Sequence, residues 1–477
     1  MNAINKTGEY PESWKKEYVT PIPKVHPPSS EDELRNISLT PFLSKTYEWF
    51  LFNWLLPYLL PSLDPGQLGG LKGCSTTHYM IKLYHFILKT GDLPTAMPHA
   101  ILLALIDFSK AFNRMDHNIL ITLLSDSGVP SWLLTICISY LSNRKMVVRY
   151  GGQVSSEEFL PGGGPQGTLL GGLFFIFQIN KAGWPSTQTD KDQSPPPELD
   201  SSQVRLKYMD DLSLGSAVNL KSSLCTSIDR SGPKNYHDRF NFVLPPENSN
   251  FQEKINNLDK FTKDNLMKIN PIKSAIMPFN FTRKYDFLPK IKLPGSEKPL
   301  EVVYEKKLLG VICTSDGKWK QNTQYIIKKA MAKLWMIRRL KWMGADIETQ
   351  LETYTLHVRS QLEICLQLWH SSLTSKENDD IERVQKIACA IILCSYDSYS
   401  KNLETLGLKT LKDRRTDLCK EFAKKCVKNP RHSSLFPSSI SRPKTRNSKP
   451  FTEYKCRTQR FYKSAIPFLT RLLNENS

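Results

Sequence analysis

Cysteine is present but never grouped: ten residues are spread from Cys74 to Cys456, no pair has Cys-x-x-Cys spacing, and no Cys/His group resembles a zinc knuckle. Isolated thiols of this kind fit a reducing compartment, where they act as small core residues. The opening segment, MNAINKTGEYPESWKKEY, has no apolar h-region, so no secretory signal is expected and the setting is read as intracellular, nucleus or cytoplasm. Long hydrophobic runs are also missing. The most apolar stretch, Trp49 to Leu63, is broken by Asn53, Pro57 and Pro61 and is too short to span a bilayer, so a core helix with a proline stop is expected there, and no membrane partner. No internal repeat is present. Acid is scarce: 46 Asp and Glu face 65 Lys and Arg, for a net charge of +19. That excess favours a polyanionic partner, the plain alternative being a basic soluble surface.

What is there is enough apolar residue, 40% of the 477, to bury a sizeable core in roughly two to four structural units. Residues 101–106, ILLALI, read as a buried strand, and Ile119 to Leu124 and Trp132 to Leu141 as helices. Segments 145–150 and 153–160 alternate around Gly151-Gly152, a hairpin signal. Short strands are expected at 204–208 and 212–216, a helix over 251–268, and a strand pair at 301–304 and 308–313. From residue 320 almost to 430 the pattern is helical. Two polar stretches, 185–203 and 229–250, read as surface loops. The class is therefore α+β first and all-α later, with a boundary near 318.

Three features carry chemistry. Asp107 ends the apolar strand in LIDFSKAF, Asp210-Asp211 sits between two short strands in KYMDDLSL, and Gly162-Gly163-Gly164-Pro165-Gln166-Gly167 opens an apolar helix between them. An Asp pair at a turn is common, as is a lone Asp after a strand or a lone glycine-rich turn. In this order they match what nucleotide transfer needs. Carboxylates on adjacent strand ends can hold two Mg²⁺, one at the attacking oxygen and one at the leaving pyrophosphate, and a glycine turn admits close backbone approach.

With its neighbours, this set resembles the reverse transcriptases of non-LTR, LINE-like retrotransposons. The motifs run in family order: YPESWKKEYVTPIPK (10–24), RNISLTPFLSKTYEW (35–49), QLGGLKGCST (67–76), LALIDFSKAFNRMDH (103–117), YLSNRKMVVRYGG (140–152), LPGGGPQGTLLGGLFF (160–175), KYMDDLSL (207–214), LMKINPIKSAIMPF (266–279) and KKLLGVICTSDGKW (306–319). ERVQKIACAIIL (382–393) and LETLGLKTLKDRRTDLCKEFAKK (403–425) resemble the thumb-side helices.

The resemblance implies an α+β right-hand polymerase: fingers over 1–100, a palm with an antiparallel sheet over 101–318 carrying a fingers insertion at 117–160, a helical thumb over 319–430 and a basic tail over 431–477. It implies an RNA-directed DNA polymerase that takes an RNA template, a DNA primer and deoxynucleoside triphosphates. Asp107, Asp210 and Asp211 match the metal-binding carboxylates for two Mg²⁺, with Mn²⁺ as a substitute. Lys24 and Arg35 match basic positions for the triphosphate. Phe112 matches the aromatic that excludes a 2′-hydroxyl, Gln166 the brace of the template and nucleotide pocket, Tyr208 the tyrosine of the YxDD box at the nucleotide, and Lys273 a proton donor to pyrophosphate.

Asn113, Asn36, Gly171-Gly172 and Lys181 depart from the family pattern without removing a metal ligand. No room for an endonuclease is expected before the fingers, nor a ribonuclease H after the thumb. Between Arg442 and Lys463 lie eight basic residues and one acid, Glu453, with Tyr454, Phe461 and Tyr462 interleaved, which reads as phosphate neutralisation plus stacking or as a solvated basic surface. The rival function is a catalytically silent nucleic-acid-binding derivative of such an element. A group II intron maturase-like role stands further off.

Overall fold

A computed structural model describes residues 1–94, 99–185, 196–199, 202–219, 249–281, 289–394, 398–439 and 449–475; the expected loops at 185–203 and 229–250 fall mostly outside them. In chain order the strands are β1 (Lys16–Pro23), β2 (Leu34–Leu39), β3 (His99–Ile106), β4 (Lys145–Tyr150), β5 (Gln153–Val154), β6 (Glu158–Phe159), β7 (Gln203–Tyr208), β8 (Asp211–Asn219), β9 (Ala275–Asn280), β10 (Glu301–Val302), β11 (Glu305–Leu308) and β12 (Val311–Thr314). One sheet runs β10-β9-β3-β8-β7, antiparallel except where the short β10 lies parallel to β9.

β3 is central and covered on both faces, which is why its sequence is a continuous apolar run rather than an alternation. Ile101, Leu103 and Leu105 pack with Tyr79, Leu83 and Phe86 of the helix Thr76–Thr90. Leu102, Ala104 and Ile106 pack on the other side with Phe251, Ile255 and Leu258 of the helix Ser249–Asp264. Truncating Leu103 to alanine would cost about 2–5 kcal/mol.

The second sheet holds β1, β2, β4, β5 and β6 and joins chain segments far apart in sequence. β1 pairs antiparallel with β2 and parallel with β4, from Lys16↔Lys145 to Val19↔Val148. The expected hairpin at Gly151-Gly152 is present: both glycines have positive φ, and Tyr150 pairs with Gln153. The expected pair at 301–304 and 308–313 is divided differently. Residues 301–302 extend the main sheet through β9, and the hairpin is β11–β12. Gly310 (φ +89°) stands in the two-residue turn from Leu308 to Val311, so the glycine fixes where that hairpin reverses.

The helix Phe42–Leu59 runs through Pro57 instead of stopping there. Pro57 is exposed and two residues from the end, so the lost hydrogen bond falls on the wet side of the last turn. Helices fill the region after residue 319, but its core is continuous with that of the main sheet: Ile326, Leu334, Trp369, Val384 and Cys419 belong to the same cluster as Leu103. The change at 318 is thus a change of element type, not a gap in packing.

The segment expected as a basic tail is folded over residues 449–475. The helix Ala465–Asn474 buries Ile466, Leu469 and Leu472 against the helices Leu411–Lys428 and Thr76–Thr90. Asp92 accepts hydrogen bonds from the backbone N–H groups of Arg457 (2.8 Å) and Thr458 (2.7 Å). Phe461 is buried, and the Tyr454 hydroxyl donates to the Leu435 carbonyl (2.9 Å), so these two rings are core rather than stacking platforms; Tyr462 stays exposed, under the Arg471 guanidinium. The apolar face of the last helix has to be covered, and covering it draws the preceding aromatics inward.

Candidate active site

Antiparallel register decides where the acids meet. β3 and β8 pair from His99↔Asn219 to Ile106↔Leu212, so one further step along each strand sets Asp107 opposite Asp211. Tyr208 pairs with Asp211, which leaves Met209 and Asp210 as the turn between β7 and β8. Met209 has a φ of +55°, where glycine is usual in so short a hairpin. The turn is held from outside: a Cβ on Gly69 would lie 2.3 Å from the Met209 nitrogen, so only glycine lets the 66–70 loop close on it. Asp210 is exposed at the tip and Asp211 is half-buried.

Asp107 is framed by a second turn. Its N–H donates to Ser274 Oγ (3.1 Å), and its carbonyl accepts from the Asn270 N–H (2.8 Å). Asn270 Oδ1 in turn accepts from the backbone of Ile272 and Lys273, an Asx turn at an Asn-Pro step. This turn brings Lys273 near enough for its charge to act on Asp107.

The charges there are close enough to act on one another. Burial pushes Asp211 up to about 6, Asp210 and Asp107 add to the shift, and Lys306 opposes it. Burial also raises Asp107; Lys273 opposes, Asp210 reinforces, and Lys306 and Lys24 draw it back. Lys306 is itself lowered by burial, against the pull of Asp107, Glu301 and Asp211. Lys306 was missed as a site residue. The segment KKLLG marked its neighbourhood, but only the β11–β12 hairpin, tied by Lys306 Nζ to the Lys273 carbonyl, brings it to the acids.

The glycine-rich loop is stapled to the turn after Asp107. Gly163 and Gly164 donate backbone N–H groups to the carbonyls of Met115 (2.8 Å) and Phe112 (3.0 Å). Gly163 has φ +82°, and a Cβ there would come within 3.1 Å of the Phe112 carbonyl and Asn113 Cα. Phe112 is half-buried and stacks on Phe175, centroids 4.4 Å apart. The Gln166 carbonyl accepts from the Ser38 N–H (2.9 Å), joining this loop to β2.

The structure thus gathers Asp107, Asp210, Asp211, Lys273 and Lys24, with Phe112 and Gln166 on the loop system beside them. Arg35 is exposed on β2 opposite Ile22 and is not among the charges acting most strongly on Asp107. Tyr208 is half-buried, its ring edge-on to Tyr79 at 6.4 Å, so part of it belongs to the core.

The model for the reverse transcriptase (RNA-dependent DNA polymerase) family matches residues 22–313. The chain belongs to this family. Its right-hand plan, with the acids on an antiparallel sheet, is the fold expected of a reverse transcriptase, and the kinship with non-LTR elements is borne out by the relatives. The chain is 25% identical over 401 residues to the probable RNA-directed DNA polymerase from transposon BS of Drosophila melanogaster, covering 83% of this chain and 40% of that protein. It is 26% identical over 244 residues to the RNA-directed DNA polymerase from mobile element jockey of the same fly, covering 50% and 25%. The chain therefore spans less than half the length of these curated relatives. Among solved structures, telomerase from Candida Tropicalis with a fragment of telomeric RNA aligns at a TM-score of 0.43 and 11% identity, covering 87% of this chain and 59% of that one.

Reverse transcriptases generally use divalent metals, and the donors fit one. Three carboxylates supply hard oxygen ligands; burial raises Asp211 most and the two neighbouring acids raise it further, and a cation would offset both. Among the described residues no group of three or more His, Cys, Asp or Glu is gathered closely enough to hold a metal ion by itself. An ion such as Mg²⁺ keeps several waters and shares substrate phosphates, so an open set of carboxylates suffices for it.

Proposed function

We propose that this chain adds deoxynucleotides to the 3′-end of a DNA primer, with RNA as the template. The observation that carries the reading is the convergence of Asp107 and Asp211 across one ladder, with Asp210 on the adjoining turn. Two Mg²⁺ ions, or Mn²⁺ in their place, held by these three acids would activate the primer 3′-oxygen and stabilise the leaving pyrophosphate. The chain's own residues take the remaining roles. Lys24 and Arg35 bind the triphosphate, and Lys273, carried on its Asx turn, hands a proton to pyrophosphate. Phe112, backed by Phe175, lies under the sugar, Gln166 braces the template and nucleotide pocket, and Tyr208 borders the nucleotide. Residues 1–100 with 117–160 serve as fingers, the β3 sheet as palm and the helices after 319 as thumb. No helix among the described residues is long and apolar enough to cross a membrane, and we place the activity in the nucleus or cytoplasm.

The names of the relatives, RNA-directed DNA polymerases of mobile elements, support this reading. The test is primer extension by the purified full chain on matched RNA and DNA templates, with all four deoxynucleotides and Mg²⁺ or Mn²⁺. Extension on RNA is expected. Template binding without extension under either metal would favour the silent derivative.

A further inference from the structure

One buried acid has no part in the chemistry just described. Asp64 is fully buried, and its carboxylate accepts hydrogen bonds from Gly66 N–H (2.8 Å), Trp184 Nε1 (3.2 Å), Arg205 Nε (2.8 Å), Arg205 NH2 (2.9 Å) and Lys207 Nζ (2.5 Å). Lys207 is fully buried too and stands three residues before Asp210. The loop that carries Asp64 also grips the backbone of Lys207: its N–H donates to the Gly66 carbonyl (2.8 Å), and its carbonyl accepts from the Leu68 N–H (2.9 Å).

Asn180 locks the far side. Its Oδ1 accepts from the Asp64 N–H (2.7 Å), its Nδ2 donates to the Ser62 carbonyl (2.7 Å), and its own carbonyl accepts from Lys207 Nζ. There is no slack at the contact. A Cβ on Gly66 would sit 2.3 Å from the Arg205 carbonyl, and one on Gly69 as close to the Met209 nitrogen. One rigid loop therefore holds strand β7 by side chain and backbone, and two residues later it sets the turn that displays Asp210.

We infer that Asp64 and Lys207 are positioning residues for the β7–β8 hairpin, fixing where Asp210 and Asp211 stand relative to Asp107. The inference rests on the polymerase reading for what the hairpin does, but not for how it is held. Neither residue touches substrate. They act because a misplacement near 1 Å can cost a rate about 10²-fold.

The variant to make is Lys207→Met. It keeps an apolar stem of similar length and leaves Asp64 paired one-to-one with Arg205, so no buried charge is stranded. Nucleotide addition by the full chain would be measured together with amide hydrogen exchange. The expected result is a folded protein whose kcat falls at least about tenfold, while KM for deoxynucleotide and affinity for primer–template move less than about threefold. Amides in 64–70 and 203–212 would exchange faster, while β3 stays protected. A folded variant with wild-type kcat, or with unchanged exchange in those two segments, overturns the inference. Should the variant not fold, the wild-type protein decides: the Lys207 and Leu68 amides must exchange as slowly as those of β3, and fast exchange sinks the idea. A wild-type protein that extends no primer refutes the polymerase reading, and the exchange measurements still decide whether the loop holds the hairpin.

Discussion

The β7–β8 hairpin meets two acid clusters treated in opposite ways. Along β7, just before the turn, Asp64 faces Arg205 and Lys207, and every oxygen is satisfied. Burial works to raise Asp64, but Lys207 and Arg205 outweigh it and hold the carboxyl well below its ordinary range. At the tip, burial raises the pKa of Asp211, two more acids beside it add to the rise, and Lys306 opposes it. The same strand pair thus carries a cluster resolved inside the protein and a cluster left unresolved. The first fixes geometry. The second keeps an unmet demand for positive charge, which is what a site for metal and triphosphate requires.

The largest way to break the comparison is Asp64→Ala. It strands Lys207 and Arg205 in the interior and should cost about 3–5 kcal/mol in denaturant unfolding. A loss below about 1 kcal/mol would mean that water reaches the cluster and that the two clusters do not differ as described.

Next in size is Phe112→Val beside the open end. If the ring lies under the sugar, ribonucleotides enter much more readily and deoxynucleotides lose less. If the Phe112–Phe175 stack is only core, the variant loses stability and all activity alike, with the sugar ratio unmoved. Matched ribo- and deoxynucleotide incorporation by both proteins separates the two.

The smallest effect is the most diagnostic of the open cluster. Asp211 titrates at about 6 in the folded chain, above the ordinary carboxyl value of 3.8. A raised acid contributes stability below its unfolded pKa, and that stability is lost as pH rises through the folded pKa. Asp211→Asn should therefore stabilise the metal-free protein at pH 7.5 by about 1–2 kcal/mol and give almost nothing at pH 4. Thermal unfolding in chelator at both pH values checks this, and destabilisation at pH 7.5 would mean that Asp211 is already paired.

Much of this was legible in the sequence because it depends on local pattern. An unbroken apolar run marked β3, and the acidic pair Asp210-Asp211 between two short strands marked the hairpin, although its turn is Met209-Asp210. The rest depends on partners distant in the chain. Asp64 in LDPGQ reads as an ordinary turn acid, and nothing local reveals that Arg205 and Lys207, 141 and 143 residues on, will bury against it. The basic composition over 449–463 likewise hid two inward-facing rings, because Phe461 and Tyr454 are counted as exposed aromatics until Asp92 and the helix Ala465–Asn474 draw them in. The change to helical pattern near 318 was legible and is there, but that the core runs on across it depends on distant contacts that no local pattern shows.

The central claim is that the open end of the hairpin does chemistry and not binding. Single-nucleotide incorporation on an RNA template, measured for wild type and Asp210→Asn beside primer–template affinity, tests it most directly. The account predicts that the substitution lowers the rate by orders of magnitude while affinity stays within about twofold. Equal rates from the two folded proteins would contradict it.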